Sequence, residues 1–288
     1  LNVAASRTKE RRVQEVIGFD EQPDTGSCGK SSLQHALLLL GLPITMRDAN
    51  RLTRVPRWKH VIRGTNEREI QAAIRRCGLR PLERSFKTDA PLRRSVDQMI
   101  DRGLPVIVCV EDFDHWAVLA GRTGERYWWI DSADRALIGS WRWADIAGWI
   151  HQKHPRPEFY AIGVAPRRRR DVTHSLVPRF RDVAKMLRAD QGLRQYWGYY
   201  LEDLLDVFDC PPSPRALPAQ RFFDRHARRL YHASATYYAD ADTVKLRWEI
   251  ANYRKVAIAH RLTMSRRAEV EAVARLSAAL ALIACGVE

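Results

Sequence analysis

Apolar residues recur at three- and four-residue spacing at Leu33, Leu37 and Leu40, with Ala36 widening the stripe and Gly41-Leu42-Pro43 closing it. That pattern predicts a buried helix from about Cys28 to Leu40. Thr45 to Val55 reads as a short polar helix. Asn66 with Glu69 three residues on forms a capping box for a helix through Arg76, and Gly78 supplies its stop. Leu79 to Ser85 is expected to be a strand, Pro91 to Arg102 an amphipathic helix ended by Gly103, and Leu104 to Val110 a buried strand. Two strands then flank Arg122-Thr123-Gly124, one entering at His115 and one running from Arg126 to Asp131. Ala136 to Ser140 reads as a strand, Trp143 to Ile150 as a short helix and Glu158 to Val164 as a closing strand.

After Pro166 the pattern changes. Arg167-Arg168-Arg169-Arg170 reads as a solvated hinge, and beyond it helical spacing dominates over 176–189, 193–208, 219–238, 242–262 and 265–284. Pro211-Pro212-Ser213-Pro214 is the strong interruption. The expected organisation is a flexible basic arm at 1–14, an α+β domain at 15–166, an Arg-rich linker at 167–173 and an all-α helical domain at 174–288. In the α+β domain a helical half precedes an antiparallel sheet. Within it, Val13 to Phe19 is a short strand or an extended entry into Gln22.

Charge and cysteine usage narrow the chemistry. The formal net charge of +14 comes mainly from arginine spread along both halves. Such a surface attracts nucleic acid, anionic lipid or an acidic protein, and diffuse charge does not choose among them. The five cysteines are an odd set with no C-x-x-C pair, so neither a disulfide framework nor a structural zinc site is supported, and no cofactor is called for. Free thiols suit a reducing compartment, which points to the cytoplasm. Leu1 to Glu15 lacks the apolar core of a signal peptide, and the apolar run Ser277 to Cys285 is too short to span a bilayer. His226 and His232 are six residues apart on one expected helix, which is not a metal-ligand spacing.

Cys28 is expected where a loop becomes a helix. There the unpaired backbone N–H groups and the positive end of the helix dipole favour a thiolate, and Gly29 leaves the approach to the sulfur uncrowded. If the hairpin loop holds three residues, Gly121 pairs with Glu125 and His115 falls directly opposite Asp131, so imidazole and carboxylate share a face. A two-residue loop shifts the register by one and separates them. Cysteine, histidine and aspartate so placed are nucleophile, general base and orienter of an acyl-transfer site. Gln22, six residues before Cys28, could donate to the oxyanion beside the N–H of Cys28 itself.

Gln22, Cys28-Gly29, Gly64-Thr65, His115 and Asp131, in this order, resemble the papain-like cysteine peptidases, and most closely their C39-like branch. The resemblance covers roughly residues 15–166 and leaves the helical part unmatched. It implies a papain-like fold, with Gln22 as oxyanion donor, Cys28 as nucleophile, His115 as base and Asp131 as orienting acid. A peptide or protein is the implied substrate. The helical domain would take substrate, a protein partner or another copy of the chain, with nucleic acid less favoured. The rival reading is an inactive peptidase-like scaffold that binds protein or nucleic acid. Two positions depart from the pattern: Lys30 stands where a small or apolar residue is expected, and Ser132 rather than proline follows Asp131.

Overall fold

The computed structural model describes residues 17–56, 59, 63–112, 114–153, 158–167, 180–208, 213–236 and 243–284. The expected basic arm, residues 13–16 of the expected extended segment before Gln22 and nearly all of the Arg-rich linker lie outside them. The chain divides into two compact units, Leu1–Gly198 and Tyr199–Glu288.

The first unit is α+β. Helices α1 (Cys28–Leu39), α2 (Met46–Thr53) and α3 (Glu67–Arg76) come first, then strand β1 (Leu79–Phe86) and helix α4 (Asp89–Asp101). Strands β2 (Val106–Val110), β3 (His115–Thr123), β4 (Arg126–Ile130) and β5 (Ile138–Arg142) follow, then helix α5 (Trp143–Ile150) and strands β6 (His151–Gln152) and β7 (Glu158–Pro166). The strands form one antiparallel sheet in the order β1-β7-β2-β3-β4-β5, with β6 beside β7. The closing strand therefore enters the middle of the sheet, between β1 and β2.

Both faces of the sheet are covered, which is why β2 is buried at every position. Ala117 and Leu119 of β3, with Val106, Val108, Tyr127 and Trp129, pack against α4 and α5 through Leu92, Val96, Met99, Ile146 and Ile150. The alternate residue Trp116 faces α1: Ser32 Oγ donates to Trp116 O at 2.9 Å. Buried on all sides, α1 carries Ser31, Ser32, Gln34 and His35 inside as well as its leucines. Several of these polar groups are matched. Gln34 donates to Ile44 O at 2.8 Å, and His35 Nε2 accepts from Asp20 N at 3.2 Å. Burial lowers the His35 pKa to about 4, so the ring stays neutral and keeps that acceptor.

Asn66 with Glu69 makes the expected reciprocal box at the start of α3, and Thr45 with Asp48 makes a second one at the start of α2. Leu40 is the C-cap of α1 rather than its last turn. Strand β5 begins at Ile138, two residues later than expected, because Asp134 to Leu137 forms a turn. Leu137 N donates to Asp134 O at 2.7 Å, and Leu137 sits at φ 56°.

Helix α6 (Phe180–Ala189), read from sequence with the helical part, belongs to the first unit. Its Arg188 Nε donates to Ile138 O at 2.8 Å, and the guanidinium lies 5.5 Å from the Trp128 ring centre. Helix α7 (Gln191–Leu205) also begins there, and its first half grips the segment that enters the site. Phe19 N donates to Arg194 O at 2.9 Å and Gly198 N to Ile17 O at 2.7 Å. The backbones approach so closely that a Cβ on Gly18 would fall 2.1 Å from Gln195 O, and one on Gly198 would fall 2.1 Å from Ile17 Cγ2.

The second unit holds helices α8 (Ala219–Thr236), α9 (Thr243–Ala259) and α10 (Glu269–Ala284). Phe208, Phe222 and Phe223 pack their rings together in its core. Strands β8 (Leu217–Pro218) and β9 (Thr263–Met264) pair antiparallel. Two residues each, they leave no period to read in the sequence. His226 is matched by Glu269 at 2.7 Å. Among the described residues no three His, Cys, Asp or Glu side chains gather as a metal site, and no helix is long and apolar enough to cross a membrane.

Candidate active site

Cys28 is the first residue of α1, preceded by Ser27 and by a loop tied through Asp24. Asp24 Oδ1 accepts from Gly26 N at 3.0 Å and from Ser27 Oγ at 2.9 Å. Gly29 is needed for a reason other than an open approach to sulfur. A Cβ there would lie 2.9 Å from Thr65 Cβ and 3.2 Å from Trp116 Cδ1, so the helix end packs without room for a side chain. Trp116 Nε1 donates to Thr65 O at 2.8 Å, joining the loop before α3 to the sheet beneath. Lys30 is buried too. Burial lowers its pKa, while Asp24 and Glu69 pull the other way.

The hairpin differs from the expected one and still brings His115 to Asp131. Its loop holds two residues, Gly124 and Glu125, with Thr123 paired to Arg126 and Gly124 at φ 57°. That register alone would send the two side chains to opposite faces. A bulge at Ala120 restores the match: Gly121 pairs with Trp128, but Leu119 pairs with Trp129. Carried on past Val118 and Ile130, the register sets Asp131 across from Ala117, on the face that Ala117 shares with His115. From this diagonal position His115 Nε2 meets Asp131 Oδ1 at 2.7 Å.

The Cys28 thiol is near enough to the His115 ring to favour its cationic form. Since Nε2 is committed to Asp131, Nδ1 is the nitrogen left for the thiol. Burial alone would lower the His115 pKa, but the hydrogen bond to Asp131 and the attraction of Asp131 and Cys28 raise it to about 10. Burial likewise works against the Asp131 charge. Donors on His115, Ala133 N and Trp129 Nε1 outweigh it and hold the carboxyl below its ordinary range. Cys28 is 3 % exposed, and the His115 and Asp131 side chains are 12 % and 19 % exposed.

Gln22 reaches the same corner by another route. Its N–H donates to Ser132 O at 2.9 Å, and its Oε1 accepts from Ser132 Oγ at 3.0 Å. Of the four expected residues, His115 meets Asp131 directly, Cys28 acts on the His115 ring, and Gln22 is bonded to Ser132, the residue after Asp131. Sequence reasoning missed three contributors. Trp129 Nε1 lies 3.3 Å from Asp131 Oδ2, Ser132 holds Gln22, and Ala120 sets the register. Of these only Ser132 had left a signal, as an unexpected residue after Asp131.

The structure is similar to the crystal structure of the peptidase domain of Streptococcus ComA, a bi-functional ABC transporter involved in a quorum-sensing pathway. The identity is 19 % and the TM-score 0.40, over 52 % of this chain and 99 % of that one. It is similar also to a double-glycine-motif protease from an AMS/PCAT transporter, solved in complex with the leader peptide, at 17 % identity and a TM-score of 0.39, over 53 % and 94 %. The peptidase domain of Streptococcus mutans ComA matches at 16 % identity and a TM-score of 0.33, over 52 % and 99 %. No protein-family model matches the sequence, and neither does any curated protein. At these scores the likeness carries no weight for function, and the functional reading rests on the site itself.

Proposed function

We propose that this chain is a cysteine peptidase or amidohydrolase that attacks a peptide or amide carbonyl through Cys28. The observation that carries the reading is the imidazole of His115, bonded to Asp131 at 2.7 Å, with the Cys28 thiol at the start of a helix near enough to act on the ring. The neutral His115 ring takes the thiol proton, so that an imidazolium stands beside the attacking sulfur at a helix N-terminus. The sulfur then bonds to the carbonyl carbon and the carbonyl electron pair moves to oxygen. Gln22 and the N–H of Cys28 receive that negative charge. His115 gives its proton to the departing amine as the C–N bond breaks, leaving a thioester. Water resolves the thioester with His115 as base, releasing a carboxylic acid; an amine in its place would complete a transamidation. Asp131 keeps the ring oriented throughout.

The rival is a peptidase-like scaffold that binds protein or nucleic acid. It is favoured by one observation, the burial of Cys28 at 3 % exposed. Incubation with a peptide library followed by mass spectrometry separates the two. The peptidase reading expects cleavage products that vanish with Cys28→Ala and His115→Ala. The scaffold reading expects no products from any form, with salt-sensitive binding of protein or nucleic acid instead.

A further inference from the structure

Gln22 can serve as a donor only if its amide is held one way round, because a glutamine side chain has three free torsions and its amide can present oxygen or nitrogen to the same place. An oxygen turned toward a developing oxyanion would repel it. The geometry points to Ser132 as the residue that removes this freedom: its hydroxyl, bonded to Gln22 Oε1 at 3.0 Å, fixes the amide with its NH2 free to serve the oxyanion. Ser132 is therefore a positioning residue for Gln22, and the inference rests on the thiol acyl-transfer reading above.

Three features support it. Ser132 is 2 % exposed, so its hydroxyl does not exchange partners freely with water. Gln22 is held a second time through its own N–H, bonded to Ser132 O at 2.9 Å, so both backbone and side chain of Gln22 are set by one residue. Ser132 is also the immediate neighbour of Asp131, whose carboxylate is fixed by Ala133 N at 2.9 Å as well as by His115. The segment Asp131-Ser132-Ala133 thus orients the base on one side and the oxyanion donor on the other. A shift of that segment would disturb both together, whereas loss of the Ser132 hydroxyl alone would disturb only the donor.

That difference sets the test, which compares two reagents on the full chain. Iodoacetamide alkylates the Cys28 sulfur by displacing iodide at a saturated carbon, so no oxyanion forms. p-Nitrophenyl acetate acylates it: the sulfur bonds to the carbonyl carbon, charge develops on the carbonyl oxygen, and p-nitrophenolate leaves. Ser132→Ala is expected to slow acylation roughly tenfold, part of the loss that follows removal of a whole oxyanion donor. Alkylation should be unchanged, which also shows the variant folded. Gln22→Ala should slow acylation by roughly a hundredfold, and Gln22→Ala/Ser132→Ala should be no slower than Gln22→Ala, because Ser132 acts through Gln22. Unchanged acylation in Ser132→Ala, equal losses with both reagents, or additive losses in the double variant would overturn the inference. If His115→Ala matches the wild type with both reagents, the acyl-transfer reading fails instead, whatever Ser132 does.

Discussion

His115 and Asp131 meet at 2.7 Å although they are not directly opposed across their hairpin. The contact spans a diagonal, so it rests on the length of both side chains as well as on the register. Asp131→Ala should release the ring. The His115 pKa, raised to about 10, is then expected to fall toward 6.5 in a pH titration followed by NMR of the imidazole. A value unmoved by the substitution would show that Asp131 does not hold the charge.

The same pair ties stability to pH. The pKa of His115 rises on folding, so its contribution is complete below about 6.5 and is lost as pH climbs through about 10. Asp131 has the opposite sign: its pKa falls on folding below 3.8, so its contribution holds above that value and is lost as pH drops through the lowered one. Thermal melts of the wild type and His115→Ala should therefore differ by a constant amount between about pH 5 and 6.5 and converge toward pH 10. A gap that widens with rising pH would reverse the assignment.

Two glycine substitutions should move stability in opposite directions. Gly29→Ala forces a Cβ to within 2.9 Å of Thr65, an overpacking that should cost about 1–3 kcal/mol. Gly148 lies in helix α5 with nothing within 4 Å of a built Cβ, so Gly148→Ala should add about 0.8–1 kcal/mol. Urea melts of the two variants read both signs. A neutral Gly29→Ala would mean that Thr65 and Trp116 do not press on the helix end.

Cys109 should stay unmodified while the chain is folded. It is buried on β2, and burial pushes its thiol pKa far up. Mass mapping after brief alkylation at neutral pH is expected to find Cys28 labelled and Cys109 free. Labelling of Cys109 at a similar rate would show that reactivity here follows chain opening rather than the site.

Much of the first unit was legible because its residues obey local rules. Asn66 and Glu69 announced a helix start, Gly78 its stop, and the apolar run at Val106–Val110 a buried strand. Candidates for the site could be proposed from residue type and context, and the contact between His115 and Asp131 is one the structure contains. The mechanism of their meeting could not, since a bulge at Ala120 leaves no mark in a run of apolar residues. The expected three-residue loop reached the right face by a different route. Ser132 illustrates the other limit: its partner Gln22 is 110 residues away, and a contact of that range is invisible to periodicity. Polar residues inside α1 escaped for the same reason, because their partners, Asp20, Ile44 and Trp116, come from separate parts of the chain.

The central claim is that His115 activates the Cys28 sulfur, and the rate at which iodoacetamide alkylates Cys28 tests it most directly. At neutral pH the wild type should react roughly 10²-fold or more faster than His115→Ala, the loss expected when a positioned acid–base partner is removed. Equal rates in the two proteins, or a wild-type thiol that reacts only after unfolding, would contradict it.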